Sequence, residues 1–163
     1  MKEIYKMKQK KQNKEVVTIA NYQKLAMRTC LPSCKNNDYA QYGYLSEFYE
    51  LQSKYYGYKA KKIRGDSAEK LAEIEKSIID EIGDCFWFIA LKCALFKRSF
   101  EKIYKSKVAD LDEHERQLKS EIDCMKGHCK HWRTLPLACM RKNIAKLSSR
   151  AERGVIQGNG DSR

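Results

Sequence analysis

Residues 67–97 constrain the fold of this chain more than any other segment. Apolar side chains recur there at steps of three and four, which is the spacing of one face of an α-helix. The residues of this face are Leu71, Ile74, Ile78, Ile82, Cys85 and Ile89. From Cys85 onward, aromatic and aliphatic residues fill the other faces as well. The pattern predicts a long helix that is buried on one side in its first half and on nearly all sides in its second.

The other sequence patterns are also helical. Only two prolines and eight glycines occur in 163 residues, and this length suits a single domain. Further amphipathic segments predict helices at about residues 18–30, 39–62, 106–133 and 137–151. We therefore expect an all-α bundle over residues 17–163, preceded by a Lys-rich arm at 1–16 and ending in a Gly-rich tail at 152–163. Asp66 and Glu69 have the spacing of a capping box, which predicts Asp66 as the N-cap of the third helix.

The chain is strongly basic, with Lys+Arg 33 against Asp+Glu 21 and a net charge of +12. This balance favours anionic partners such as nucleotides, nucleic acids or an acidic membrane surface. The N-terminal residues lack the apolar core of a signal peptide, and the apolar run at 85–96 is shorter than the ~20 residues of a membrane span. We therefore expect a soluble, cytoplasmic protein without a membrane partner, whose seven cysteines are reduced thiols.

Two pairs of acids stand at the same spacing on consecutive predicted helices: Glu47 with Glu50, and Glu81 with Asp84. Residues three apart on a helix share a face, so antiparallel packing of the two helices brings the pairs to one level. Converging carboxylates repel by about 4 kcal/mol per close pair at an effective dielectric near 20. A hard cation such as Mg²⁺, Mn²⁺ or Ca²⁺ offsets this repulsion. Acids at this spacing also occur on solvated helix faces, so the spacing alone leaves the metal site open.

Four motifs follow one another in an order that resembles a known family. They are "SEFYEL" with Glu47 and Glu50, "KAKKIRGD" with Lys59, Lys62 and Arg64, "DEIGDCFWFIA" with Glu81, Asp84 and Trp87, and "NIAKLSSR" with Asn143, Lys146 and Arg150. Together they are similar to the motifs of the MazG-like all-α NTP pyrophosphatases, in particular the short forms found in bacteriophages. The likeness covers roughly residues 18–100 and 140–163.

The resemblance implies a helical bundle of the MazG-like type that dimerises or tetramerises. It also implies that four acids bind Mg²⁺, or Mn²⁺ in its place: Glu47, Glu50, Glu81 and Asp84. The implied reaction is hydrolysis of a nucleoside triphosphate, ribo- or deoxyribo-, to the monophosphate and pyrophosphate, in a bacterial or phage-infected cytoplasm. A nucleotide rather than a nucleic acid is then the partner. The implied substrate contacts are Lys59, Lys62, Arg64, Trp87, Asn143, Lys146 and Arg150.

Two features depart from the family pattern. Phe48 and Tyr49 stand where the family has small residues, so they narrow the pocket or alter the helix contacts there. The helix predicted at 106–133 is an insertion, and its apolar face needs a partner, either this subunit's own bundle or another subunit. Within it, Cys124 and His128 lie one turn apart, as two ligands of Zn²⁺ can, although their spacing matches no standard zinc finger.

Two other functions fit the same sequence. A catalytically silent protein on the same bundle would bind or sequester nucleotides. A basic helical protein would bind nucleic acid through the N-terminal lysines. Release of pyrophosphate with Mg²⁺ separates the enzyme from the silent binder, whereas a steep salt dependence of DNA or RNA binding indicates the third function.

Overall fold

A computed structural model of the chain describes residues 15–154. These residues form six α-helices and two short 3₁₀ turns, and they contain no β-strand. The helices are α1 (Tyr22–Arg28), α2 (Asn37–Arg64), α3 (Ala68–Leu95), α4 (Phe100–Lys105), α5 (Glu113–His131) and α6 (Pro136–Glu152), and the turns are Pro32–Cys34 and Val108–Asp110. The predicted all-α class is confirmed. None of the helices in this part of the chain has the length and apolar content that crossing a membrane requires.

The predicted N-terminal arm at 1–16 and the Gly-rich tail at 152–163 lie almost entirely outside the described residues. Between them, the predicted helices at 18–30, 39–62, 67–97 and 137–151 correspond to α1, α2, α3 and α6. Their apolar spacing was therefore a sufficient guide to where these four helices lie.

The hairpin of α2 and α3 is delimited by capping groups. The side chain of Asn36 accepts a hydrogen bond from the first turn of α2, and Gly65 ends this helix with φ 85°, a conformation that glycine adopts readily. The prediction that Asp66 caps α3 is wrong. Ser67 caps it instead, while the Asp66 carboxylate is bound at 2.7 Å by the guanidinium group of Arg64.

The central helix is α3, which packs against each of the other five helices. Every residue at positions 81–93 is buried, which confirms the prediction for the second half of this helix. Gly83 allows α6 to come close, because a Cβ atom at this position would lie 2.9 Å from the carbonyl oxygen of Cys139. The side chains of α6 therefore lie directly beside the buried half of α3.

The segment predicted as one helix over residues 106–133 is divided. A short helix that the sequence did not predict, α4, precedes it and is capped by the hydroxyl group of Ser99. The turn Val108–Asp110 follows, and α5 begins only after Asp112, because Asp112 and Glu115 form a complete capping box that satisfies the first backbone N–H groups. The single-helix prediction is therefore wrong at its N-terminal end.

The apolar face of α5 is covered by this chain itself. Leu118, Ile122 and Met125 are buried, and α5 contacts α3, α4 and α6. The sequence left two partners open for this face, the subunit's own bundle or another subunit. In the structure, the subunit's own bundle covers it. This face therefore needs no second subunit.

Candidate metal centre

Three glutamates converge where α2 lies against α3. Carboxylate oxygens of Glu47 and Glu50 on α2 and of Glu81 on α3 all lie within 4.8 Å of one another. The α2–α3 hairpin brings three of the four predicted acids together, and Asp84 is not part of this group. Glu47 and Glu81 are each 7% exposed, whereas Glu50 is open to solvent. The cluster is therefore buried at Glu47 and Glu81 and open to solvent at Glu50.

The fourth acid, Asp84, lies one turn further along α3 and is bound by two residues of α6. The Nζ atom of Lys146 lies 2.8 and 2.7 Å from its two carboxylate oxygens, and the side-chain amide of Asn143 donates a hydrogen bond to one of them. Asp84 is 9% exposed, so this ammonium group compensates a charge that has little contact with water. Two residues of α6, Asn143 and Lys146, are thus joined to the acids by their contacts with Asp84.

The pKa of Glu47 reflects the crowding of these acids. Burial, then the negative charge of Asp84, a hydrogen bond to Glu81 and the charges of Glu81 and Glu50 raise the pKa of Glu47 to about 9. Its carboxyl group therefore holds a proton at neutral pH. A divalent cation among the same oxygens would replace that proton with a larger positive charge. Such a set of carboxylate oxygens fits Mg²⁺, Mn²⁺ or Ca²⁺.

Lys54 contacts the cluster, although none of the sequence motifs assigned it a role. Its ammonium group binds the carboxylate of Glu81, and about a third of the lysine side chain is exposed. Lys54 lies one turn after Glu50 on α2, so its position on the same side of the helix was a signal that could have identified it. Because it occupies a carboxylate that a cation would also use, Lys54 would compete with a cation for Glu81.

A buried oxygen next to Asp84 lacks a hydrogen-bond partner. Among residues 15–154, no donor reaches the side-chain carbonyl of Asn143, which is 3% exposed. A buried acceptor without a donor costs about 1–3 kcal/mol, so a donor group on a ligand or an ordered water would stabilise this position. The polar environment of Asp84 therefore includes an acceptor as well as two donors.

Three of the predicted phosphate-binding residues lie away from the cluster. Lys59, Lys62 and Arg64 are exposed on the last turns of α2, about 13 Å or more beyond Glu50 along the helix axis. The two lysines lie over tyrosine rings of the same helix, and Arg64 binds Asp66. The structure brings Asn143 and Lys146 to the acids but not these three basic residues.

The two other predicted substrate contacts have different surroundings. Trp87 is 8% exposed, and its indole N–H donates hydrogen bonds to the carbonyl of Ala26 at 3.2 Å and to the hydroxyl of Thr29 at 3.0 Å. It therefore fastens the end of α1 to α3. Arg150 is half-buried and lies one turn after Lys146 on α6, on the side of the helix that faces the site.

The Cys and His residues of α5 do not form a comparable group. Cys124 is exposed, and the Nε2 atom of His128 lies 3.3 Å from the side-chain amide of Gln52. Within residues 15–154, the glutamate cluster is the one group of three or more His, Cys, Asp or Glu side chains that is spaced to share an ion. A zinc site at Cys124 and His128 thus lacks a third ligand in this part of the chain.

Comparisons of the chain with protein-family models, with curated proteins and with solved structures found no match. The likeness to MazG-like enzymes therefore remains a resemblance of the motifs, and the chemistry has to be inferred from the cluster itself.

Proposed function

We propose that this protein hydrolyses a nucleoside triphosphate, ribo- or deoxyribo-, to the monophosphate and pyrophosphate with the help of Mg²⁺. The observation that carries the proposal is the convergence of Glu47, Glu50 and Glu81 within 4.8 Å, with Asp84 and its ammonium partner Lys146 beside them. Acids suited to a cation and an ammonium group suited to phosphate oxygens thus lie next to each other, which is the kind of arrangement that phosphoryl transfer uses. The resemblance of the motifs to MazG-like pyrophosphatases supports the same reaction.

In the proposed site, Glu47, Glu50, Glu81 and Asp84 would hold Mg²⁺, or Mn²⁺ in its place. The bound ion would stabilise charge on the phosphate oxygens and lower the pKa of a bound water molecule. Glu50 lies on the accessible side of the cluster, so it is the acid that solvent and substrate reach first. One of the glutamates would also orient the attacking water and accept its proton.

The chain's own contribution beyond the acids is positive charge and positioning. Lys146 is held in place by both oxygens of Asp84, so its ammonium group borders the cluster. Fixed positive charges of this kind neutralise phosphate oxygens as charge develops in the transition state. Arg150 extends the same side of α6 by one turn and is the next candidate for a phosphate contact.

The proposed setting follows from the resemblance as well. It is the cytoplasm of a bacterium, with either the cell or an infecting phage as the source of the protein. The proposed working form is a homodimer or homotetramer. The nucleotide is the proposed partner, and no stable complex with nucleic acid is expected.

Product analysis tests the proposal. The purified protein is incubated with each common NTP and dNTP in millimolar Mg²⁺ and, in parallel, in chelator, and monophosphate and pyrophosphate are quantified. We expect equal amounts of the two products from at least one substrate, and none in chelator. Nucleotide binding without product would instead indicate the silent binder. Salt-sensitive binding of DNA or RNA without nucleotide turnover would indicate the nucleic-acid-binding protein.

A further inference from the structure

The outer face of α2 carries large apolar side chains that the bundle leaves in solvent. Tyr42, Tyr49, Tyr56 and Ile63 are 69%, 68%, 65% and 89% exposed. They recur every seven residues along nearly the whole helix. Single exposed apolar residues are common on protein surfaces, whereas a continuous row of them marks a site of association. We call this row, with the small residues described next, the outer stripe of α2.

Small residues alternate with the large ones on this face. Ser46, Ser53 and Ala60 are exposed, and each follows a large residue of the row by one turn. Large and small residues thus alternate along the outer stripe over five turns of the helix. A strict seven-residue repeat drifts slowly around a lone straight helix but stays in register between two helices that wind around each other. The spacing therefore indicates that another helix packs on this face.

The outer stripe is complementary to itself when two copies run antiparallel. With a two-fold axis at position 51, each of the three tyrosines of the outer stripe faces a small residue of the other copy, whereas Ile63 lies opposite Tyr39. The facing positions are 42 with 60, 46 with 56, and 49 with 53. A two-fold interface uses the same surface on both subunits, which is what this alternation allows. The tyrosines of one helix then pack against the small residues of the partner helix.

The charges of α2 favour the same orientation. Its acids all lie at positions 37–53 and its basic residues all lie at 54–64. In an antiparallel pair, exposed Asp38 near the start of one helix lies within about one turn of exposed Lys61 near the end of the partner helix. In a parallel pair, like charges face each other, which destabilises the complex.

We propose that the outer stripe of α2 is the interface of a homodimer in which the two α2 helices pack antiparallel. The apolar faces of α3 and α5 are buried within the chain, so they are not available for this purpose. The proposal does not rest on the enzymatic function, because none of its residues belongs to the acid cluster.

Sedimentation equilibrium at micromolar concentration tests the interface. The wild-type protein is expected to have twice the mass of one chain. Ser53→Arg places a long charged side chain at the centre of the outer stripe, and we expect the dimer dissociation constant to rise at least about tenfold. Ala72→Arg makes the same kind of change at an exposed position of α3, and it is expected to leave the dimer intact. Thermal melts of both variants verify that the bundle remains folded.

The orientation has its own test. Asp38→Lys is expected to weaken the dimer, because it places a positive charge opposite the basic half of the partner helix, and adding Lys61→Glu is expected to restore it. A monomeric wild-type protein would overturn the proposal, as would a Ser53→Arg variant that dimerises as well as the wild type. Failure of Lys61→Glu to restore association would overturn the antiparallel arrangement.

Discussion

Lys146 on α6 binds both carboxylate oxygens of Asp84 on α3, at 2.8 and 2.7 Å, although the two residues are 62 positions apart in the sequence. Asn143, one turn earlier on α6, donates to the same carboxylate. The ion pair fastens α6 to the α2–α3 hairpin at the point where the acids converge. The four acids lie on two helices, and this ion pair adds α6 as a third.

Replacing Glu81 by Gln is expected to cause a near-complete loss of turnover while the fold persists. The amide keeps the shape of the side chain but removes a negative charge from the centre of the cluster, which lowers both metal affinity and transition-state stabilisation. We expect a loss of roughly 10²-fold or more in the rate of pyrophosphate release. Glu73→Gln changes an exposed residue of the same helix and serves as the control. Full activity of Glu81→Gln would contradict the assignment.

Lys54→Met is expected to destabilise the protein in chelator and to increase its response to Mg²⁺. The change leaves Glu81 without its ammonium partner, which costs about 1–3 kcal/mol of folding free energy in the absence of metal. It also removes the competitor of the cation, so Mg²⁺ should raise the melting temperature by more than in the wild type. Lys76→Met, at an exposed position of α3, is the matched control. A smaller metal-induced shift in Lys54→Met would show that Lys54 does not compete with the cation.

The α2–α3 hairpin and its acid pairs could be predicted because they depend on spacing along single helices. Helical spacing placed the four acids, and the short connection at Gly65 implied antiparallel packing. Lys54 was missed because its partner Glu81 lies on another helix, and an isolated lysine on a helix face usually points into water. Trp87 was assigned to substrate because it follows the second acid pair, whereas its buried indole binds the end of α1.

The segment at residues 106–133 shows a different limit of sequence patterns. Val108 and Leu111 continue the apolar spacing of α5, so periodicity extended the helix over both residues. The capping box of Asp112 and Glu115 decides where the helix begins, because it satisfies backbone N–H groups that a longer helix would pair internally. A local hydrogen-bond signal thus outweighed the hydrophobic pattern.

Gly83→Ala is expected to destabilise the protein by separating α6 from α3. The new methyl group would lie 2.9 Å from the carbonyl oxygen of Cys139 and 3.1 Å from the Cβ atom of Asn143. Such overpacking costs about 1–3 kcal/mol. Gly57→Ala is the control, because no atom lies within 4 Å of a Cβ atom at that helical position, and it should stabilise by about 0.5–1 kcal/mol. Equal stabilities of the two variants in urea denaturation would show that α6 does not pack this closely.

Stability in chelator is expected to fall as the pH rises, because of Glu47. Its pKa is about 9 in the folded protein against 4.5 for a free glutamate, so the folded state binds the proton more tightly. The stabilisation from this group is complete below the unfolded pKa and is lost as the pH rises toward 9. The melting temperature of Glu47→Gln should therefore decline less over this interval than that of the wild type. Glu73→Gln should decline as the wild type does, and parallel curves for all three proteins would contradict the pKa shift.

The most direct test of the metal centre is thermal unfolding in chelator and in millimolar Mg²⁺. A cation that binds only the folded protein stabilises it by about 2.7 kcal/mol at roughly a hundredfold excess over its dissociation constant. We predict a higher melting temperature of the wild type in Mg²⁺. We also predict that this shift disappears when Glu50→Gln and Asp84→Asn are combined, because these changes remove one acid from each helix. Equal melting temperatures of the wild type in the two buffers would contradict a metal site between α2 and α3.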